Sequence, residues 1–247
     1  MKKLFLALCG IFLFGNCTSH KKEDHQIIEV GKTAKGPRVD GKATDDCWNR
    51  TPWRKLDQIW SGNAYSHKDF SGRYKLSWDE NHLYILIEIV DDVLYHPYED
   101  LLEHWWDNDA LIVFLDPDNS GGKYGQGNNA LAYHIGLDGN VTGLGADGKP
   151  ALYNDHISVA KTTNATTGTW EIAVRSYQAP SRDGTQPKVD KLTAGKKLGF
   201  ALAYSDNDKS DEQENFIGSV YVHGEDKDEV NRNADAFGTI LLLDRSF

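Results

Sequence analysis

The sequence has little with which to bind a polyanion: 37 Asp and Glu stand against 27 Lys and Arg, a formal net charge of −10, and no dense basic run offsets it. Nucleic-acid binders draw much of their affinity from a Lys/Arg surface that releases counterions, so no nucleic-acid partner is expected. Methionine occurs once, at position 1, and cysteine three times. After residue 14 no apolar run approaches the roughly 18 residues of a spanning helix, so no later segment is expected to cross a membrane. Pro- and Ser-rich linkers are missing too, which argues for one domain. What is abundant is aromatic: 7 Trp, 11 Tyr and 9 Phe, enough with the other apolar residues to fill a core in a chain of 247.

The amino terminus reads as an address. Lys2 and Lys3 precede a short apolar run over residues 4–14, the charged and apolar regions of a secretory signal. The run ends at Phe14-Gly15-Asn16-Cys17, which resembles a bacterial lipobox, in which the cysteine is acylated and becomes the new terminus. Residues 1–16 are therefore expected to be removed and Cys17 to carry lipid, holding the protein at the outer membrane of a Gram-negative bacterium; an ordinary signal cut elsewhere is the alternative. Residues 17–26 are polar and charged and read as a tether. Lys22-Glu23-Asp24 is similar to a Lys-acidic-acidic surface-sorting signal, and equally to a solvated linker. Cys9 leaves with the signal and Cys17 takes lipid, so Cys47 is left alone and reads as a small buried hydrophobe.

Period-two patterning dominates the body, 27–247. Tyr74, Leu76 and Trp78 alternate with polar residues, Asp79-Glu80-Asn81 turns the chain, and Leu83, Ile85, Ile87 and Ile89 share one face of a returning strand. Further strand-like runs cover 110–115, 131–137, 156–161, 169–175, 198–204, 216–222 and 238–243, separated by Gly, Asn and Asp clusters. Short helices are expected from Thr44 and over 98–104. The expected fold is all-β: a single distorted antiparallel β-sandwich of nine or ten strands.

With these elements in order, the motifs resemble the family 9 carbohydrate-binding modules. Val39-Asp40-Gly41 with Asp45-Asp46-Cys47-Trp48 resembles the family's opening, Leu76-Ser77-Trp78-Asp79 with Leu83-Tyr84 its first hairpin, and Val90-Asp91-Asp92 the acidic pair that follows. Trp106-Asp107-Asn108-Asp109, Phe114-Leu115-Asp116-Pro117-Asp118, Trp170-Glu171 and the terminal Phe237-Gly238 complete the pattern. The resemblance implies sugar binding, with bound calcium in some members. A pyranose presents an apolar C–H face that stacks on an aromatic ring while polar neighbours hold its hydroxyls.

Trp106 falls where the family carries one wall of an aromatic clamp, and Trp105 precedes it. The second wall should lie a few residues before Phe237-Gly238, where this chain has Asn231 and Arg232 and no aromatic. The family's acidic residue falls at Ile112, and its arginine near His134. The candidate sugar-binding set is thus Trp106, Trp105, Asp109, His134, Asn231 and Arg232, with Trp60 and Tyr65 as a second aromatic group; for Trp106 itself a packing role stays open. Asp116, Asp118 and Asn119 crowd hard oxygens into one turn and are the candidate calcium ligands, with Asp206-Asn207-Asp208 a weaker parallel. The function this supports is non-catalytic carbohydrate binding by a tethered lipoprotein serving carbohydrate catabolism. A hydrolase would need two placed carboxylates that no motif selects. A haem-binding relative would lack methionine once Met1 is removed, and no haem is expected.

Overall fold

The structure, a computed structural model, describes residues 22–123, 130–145, 147–164, 166–177 and 188–246; the expected signal, Cys17 and the start of the tether lie outside them. Among the described residues fourteen strands form two sheets. They are β1 (Ile28–Gly31), β2 (Arg54–Leu56), β3 (Gln58–Ser61), β4 (Phe70–Trp78), β5 (His82–Asp91), β6 (Ala110–Asp116), β7 (Leu131–Gly136), β8 (Val141–Leu144), β9 (Pro150–Leu152), β10 (Ile157–Asn164), β11 (Thr167–Arg175), β12 (Lys197–Asp206), β13 (Asn215–Gly218) and β14 (Gly238–Leu243). The first sheet runs β1-β14-β12-β6-β7-β8-β9, with β13 and β3 extending from β12; the second runs β10-β11-β5-β4-β2.

The hairpin read from the sequence is β4–β5. Its turn forms because the Asp79 carboxylate accepts the backbone N–H groups of Asn81 and His82 at 2.7 and 2.9 Å, which pairs Trp78 with Leu83. Tyr74, Leu76, Trp78, Leu83, Ile85, Ile87 and Ile89 all enter the core between the sheets. Trp48, Trp78 and Trp170 are buried, as their motifs imply.

β6 and β12 are apolar without alternation, the signature of strands covered on both faces. Leu111, Val113, Leu115, Phe200, Leu202 and Tyr204 face the second sheet. Ala110, Ile112, Phe114, Ala201 and Ala203 face outward, under a second cluster supplied by Trp60, Phe216, Val230 and Phe237. On the far side of the second sheet Trp48 packs on Tyr84, Leu86 and Ala173. Its indole N–H donates to Glu171 at 2.8 Å, and the other Glu171 oxygen accepts the N–H of Asp40, tying the opening motif to the Trp170-Glu171 motif.

The strand count exceeds expectation because β1, β2, β3, β8 and β9 have only three or four residues each, too few to show a period. The helix expected from Thr44 is a single 3-10 turn, Asp46–Trp48. No helix covers 98–104. Asn108 grips both the N–H and the carbonyl of Tyr98 at 3.0 Å, Asp100 accepts the N–H of Leu102, and His104 is left-handed at φ 56, local bonds that compete with a helical ladder. A 3-10 turn follows instead at Trp105–Asp107.

Candidate functional site

The segment between β5 and β6 lies over the outer face of the first sheet and is fastened by its own polar side chains. Asp109 is fully buried: one oxygen accepts the N–H of Tyr95 and the other that of Asn207 at 2.8 Å. Asn207 returns a bond from its side-chain amide to the carbonyl of Asp107 at 2.8 Å, and Asp107 accepts the N–H of Gln213 at 3.3 Å. The motif Trp106-Asp107-Asn108-Asp109 thus turns its three polar side chains inward. Trp106, which has no partner inside, stands out 44% exposed. Asp109 is accordingly an anchor for the turn, buried with both of its oxygens engaged by backbone N–H groups.

Around Trp106 the rings form a continuous group. Trp105 meets it edge-on at 4.6 Å between centroids, His104 tilts against it at 5.5 Å, and Tyr98 stacks on His104 at 5.1 Å. Trp105 reaches His134 of β7 at 6.2 Å. His134 pairs with Ile112 across β6–β7, so both lie on the outer face, but Ile112 is sealed beneath the second apolar cluster. Burial pulls the His134 imidazole down to about 4, so it is neutral at ordinary pH. Its Nδ1 and the indole Nε1 of Trp105 are buried without a hydrogen-bond partner, as is Nδ1 of nearby His96. These three nitrogens are sealed beneath the exposed ring and do not open onto the surface that Trp106 presents.

The structure places Asn231 and Arg232 elsewhere in the network. The guanidinium of Arg232 is taken up by Asp226, Asp228 and Glu229, and the amide of Asn231 donates to Asp228 at 2.8 Å. Among the described residues no hydrogen bond or ring contact joins either one to the aromatic turn. Trp60 is withdrawn altogether. It is buried on β3 against Phe114 and Phe216, its N–H donates to the carbonyl of Val220 at 2.9 Å, and Gly218 lies so close that a Cβ there would come within 2.1 Å of the indole. Tyr65 packs edge-on against Phe70. A groove of about 510 Å³ beside β4 includes Tyr65 but neither tryptophan of the turn, and its Arg73 and Glu88 pair with each other.

Two acidic groups bear on a cation. At Asp116, Asp118 and Asn119 an ammonium already stands: Lys22 Nζ donates to Asn119 at 3.0 Å and to the carbonyl of Gly238 at 3.2 Å, beside the buried Asp116. The second group was not singled out as a set by sequence. Asp91 ends β5, Asp109 precedes β6 and Asp206 ends β12, and sheet register brings their buried carboxylates to within 4.8 Å of one another. Desolvation raises all three, Asp91 to about 6, Asp206 to about 7 and Asp109 to about 8. Three hard-oxygen ligands that lose stability when ionised without a counter-charge fit a calcium ion.

A family model described as "Carbohydrate family 9 binding domain-like" matches residues 39–245. The chain belongs to this family. Endo-1,4-beta-xylanase C of Paenibacillus barcinonensis is 25% identical over 208 residues, 84% of this chain and 16% of the enzyme. Endo-1,4-beta-xylanase A of Thermotoga maritima is 25% identical over 123 residues, 50% of this chain and 11% of the enzyme. The chain therefore spans a small part of these relatives. Among solved structures, a family 9 module of Caldicellulosiruptor kristjanssonii in complex with cellotriose superposes with a TM-score of 0.67 at 22% identity, covering 90% of this chain and 95% of that one. A carbohydrate-binding protein of Bacteroides uniformis described as putative gives 0.56 at 11% identity, over 87% and 98%. The family 9 fold thus extends over the described body. The matched span starts after β1, yet β1 pairs in parallel with β14, so residues ahead of the family boundary still belong to the sheet.

Proposed function

We propose that this family 9 domain is a non-catalytic receptor for an oligo- or polysaccharide, held by lipid on Cys17 at the outer membrane and serving carbohydrate catabolism. One observation carries the reading: Trp106 is presented to solvent by a motif whose Asp107, Asn108 and Asp109 side chains are turned inward, with the rings of Trp105 and His104 at its side. The ring provides the stacking face for a pyranose. The missing second ring and the buried Ile112 point to a site open on one side, suited to an internal or branched chain segment more than to an enclosed end.

A calcium ion held by Asp91, Asp109 and Asp206 would offset two of the three carboxylate charges and fix the ends of β5 and β12 against the aromatic turn. It would have no part in chemistry on the sugar. Asp91 and Asp109 are buried and accept bonds from the protein's own backbone and, for Asp91, from Tyr204, which argues against their acting as a hydrolytic pair. Titration calorimetry of a soluble fragment starting at Lys21 with cellotriose, xylan fragments and a glycan panel tests the reading. Binding without sugar release is expected; release abolished by a single carboxylate substitution would replace it with the enzyme reading.

A further inference from the structure

Residues 22–26, expected from sequence to be a loose tether, are bound to the body along their length. Lys22 is only 4% exposed, its ammonium bonded to Asn119 and Gly238. Gly121, at φ 71, makes room, since a Cβ there would lie 2.7 Å from that of Lys22. Asp24 pairs with Lys197 and accepts the amide of Asn119 at 2.9 Å. His25 donates to the carbonyl of Asp235 at 2.9 Å and accepts the N–H of Thr239 at 3.0 Å. Gln26 exchanges two bonds with the backbone of Tyr221 at 2.9 and 2.8 Å.

These contacts all gather at one end of the central strands. Asp116 ends β6 and Lys197 begins β12, whereas the aromatic turn precedes β6 and is bonded to Ser205 near the end of β12. Eight residues separate Lys197 from Ser205, about 26 Å of strand. We infer that Lys22–Gln26 is a docked strap that fixes the attitude of the body on a lipid surface, with the strap end toward the lipid and the Trp105–Trp106 face directed away. The inference rests on the reading of Cys17 as the lipid-bearing residue.

Lengths decide it. From Cys17 to Lys22 the chain reaches at most about 18 Å, shorter than the strand that separates the strap from the aromatic turn. Were the strap loose, the leash would run to Ile28 and reach roughly 38 Å, enough for the body to turn over and press its sugar face to the membrane. Ile27 and Tyr221, 54% and 51% exposed beside the strap, suit a surface that meets the headgroup region.

The test couples the mature chain, carrying Cys47→Ala, through the Cys17 thiol to a maleimide lipid in phosphatidylcholine vesicles; chemical coupling makes the result independent of whether cells acylate Cys17. A fluorescent amino acid is placed at Ser246, at the strap end, or at Leu102, in the aromatic segment, and energy transfer to a labelled lipid is measured. Transfer from Ser246 should be severalfold more efficient than from Leu102. The double variant Lys22→Ala, Asp24→Ala should narrow the difference. So should a twelve-residue Gly/Ser insert after Lys21, which lengthens the leash and leaves the strap intact. Equal transfer from both positions in the chain with the strap unaltered, or a difference that survives the insert, would overturn the inference.

Discussion

The hydroxyl of Ser205 donates to the backbone carbonyl of Trp106 at 3.1 Å. The residue is thereby fixed to β12 through its main chain while its indole, flanked by Trp105 and His104, stays exposed on one side, so backbone anchoring and ring exposure are separated in one residue. Replacing Trp106 by Ala should lower sugar affinity tenfold or more and leave the circular dichroism spectrum and melting temperature nearly unchanged, since a stacked ring contributes about 1–3 kcal/mol in the comparable case of nucleobases. Calorimetry on the two proteins checks it, and an unaltered affinity would remove Trp106 from the site.

Trp60 should behave oppositely. Its ring fills space between Phe114, Phe216 and Gly218, so Trp60→Ala should destabilise the fold by about 3–5 kcal/mol, read by urea unfolding. Sugar affinity, measured well below the new midpoint, should hold.

The Asp91–Asp109–Asp206 group makes stability depend on pH and calcium together. Each folded-state pKa is raised, to about 6, 8 and 7, so between about pH 4 and 8 the folded chain holds more protons than the unfolded one. Without calcium the melting temperature should therefore fall as pH rises through this window. Calcium at a hundred times its Kd should restore about 2.7 kcal/mol, with a larger effect at pH 8 than at pH 5, where protons compete for the same oxygens. Asp206→Asn should stabilise the calcium-free protein at pH 8 and abolish the calcium response. Calorimetric scans with and without chelator decide the matter, and a melting temperature indifferent to calcium at pH 8 would exclude the site.

Cys17→Ser should release the exported protein from the membrane fraction, and mass spectrometry of the wild-type terminus should find acyl chains on Cys17. A substituted protein that stays membrane-bound would mean another anchor.

The exposure of Trp106 was legible in residues alone. Trp106 could be picked out because an aromatic in an acidic, loop-bordered segment has few apolar neighbours to pack with. Asp109 could not be separated from it, because the same carboxylate at the same spacing can face a ligand or two backbone N–H groups, and here Asn207, 98 positions away, decides for the second. Trp60 misled for the converse reason. Its neighbours Ser61, Gly62 and Asn63 read as a loop, but β3 is a short strand whose burial comes from β13 and β6.

Sequence alone determined the sandwich and its principal strands, since side-chain alternation is a local consequence of strand geometry. It also set the net charge of −10. Only the tertiary structure decided which acids meet, where the lysine of the strap lies, and which rings stay exposed. Those outcomes depend on sheet order and register, which juxtapose Lys22 with Asn119 across 97 positions and Asp91 with Tyr204 across 113. No local pattern encodes such pairings, because each residue's partner is chosen by the packing of strands far apart in the chain.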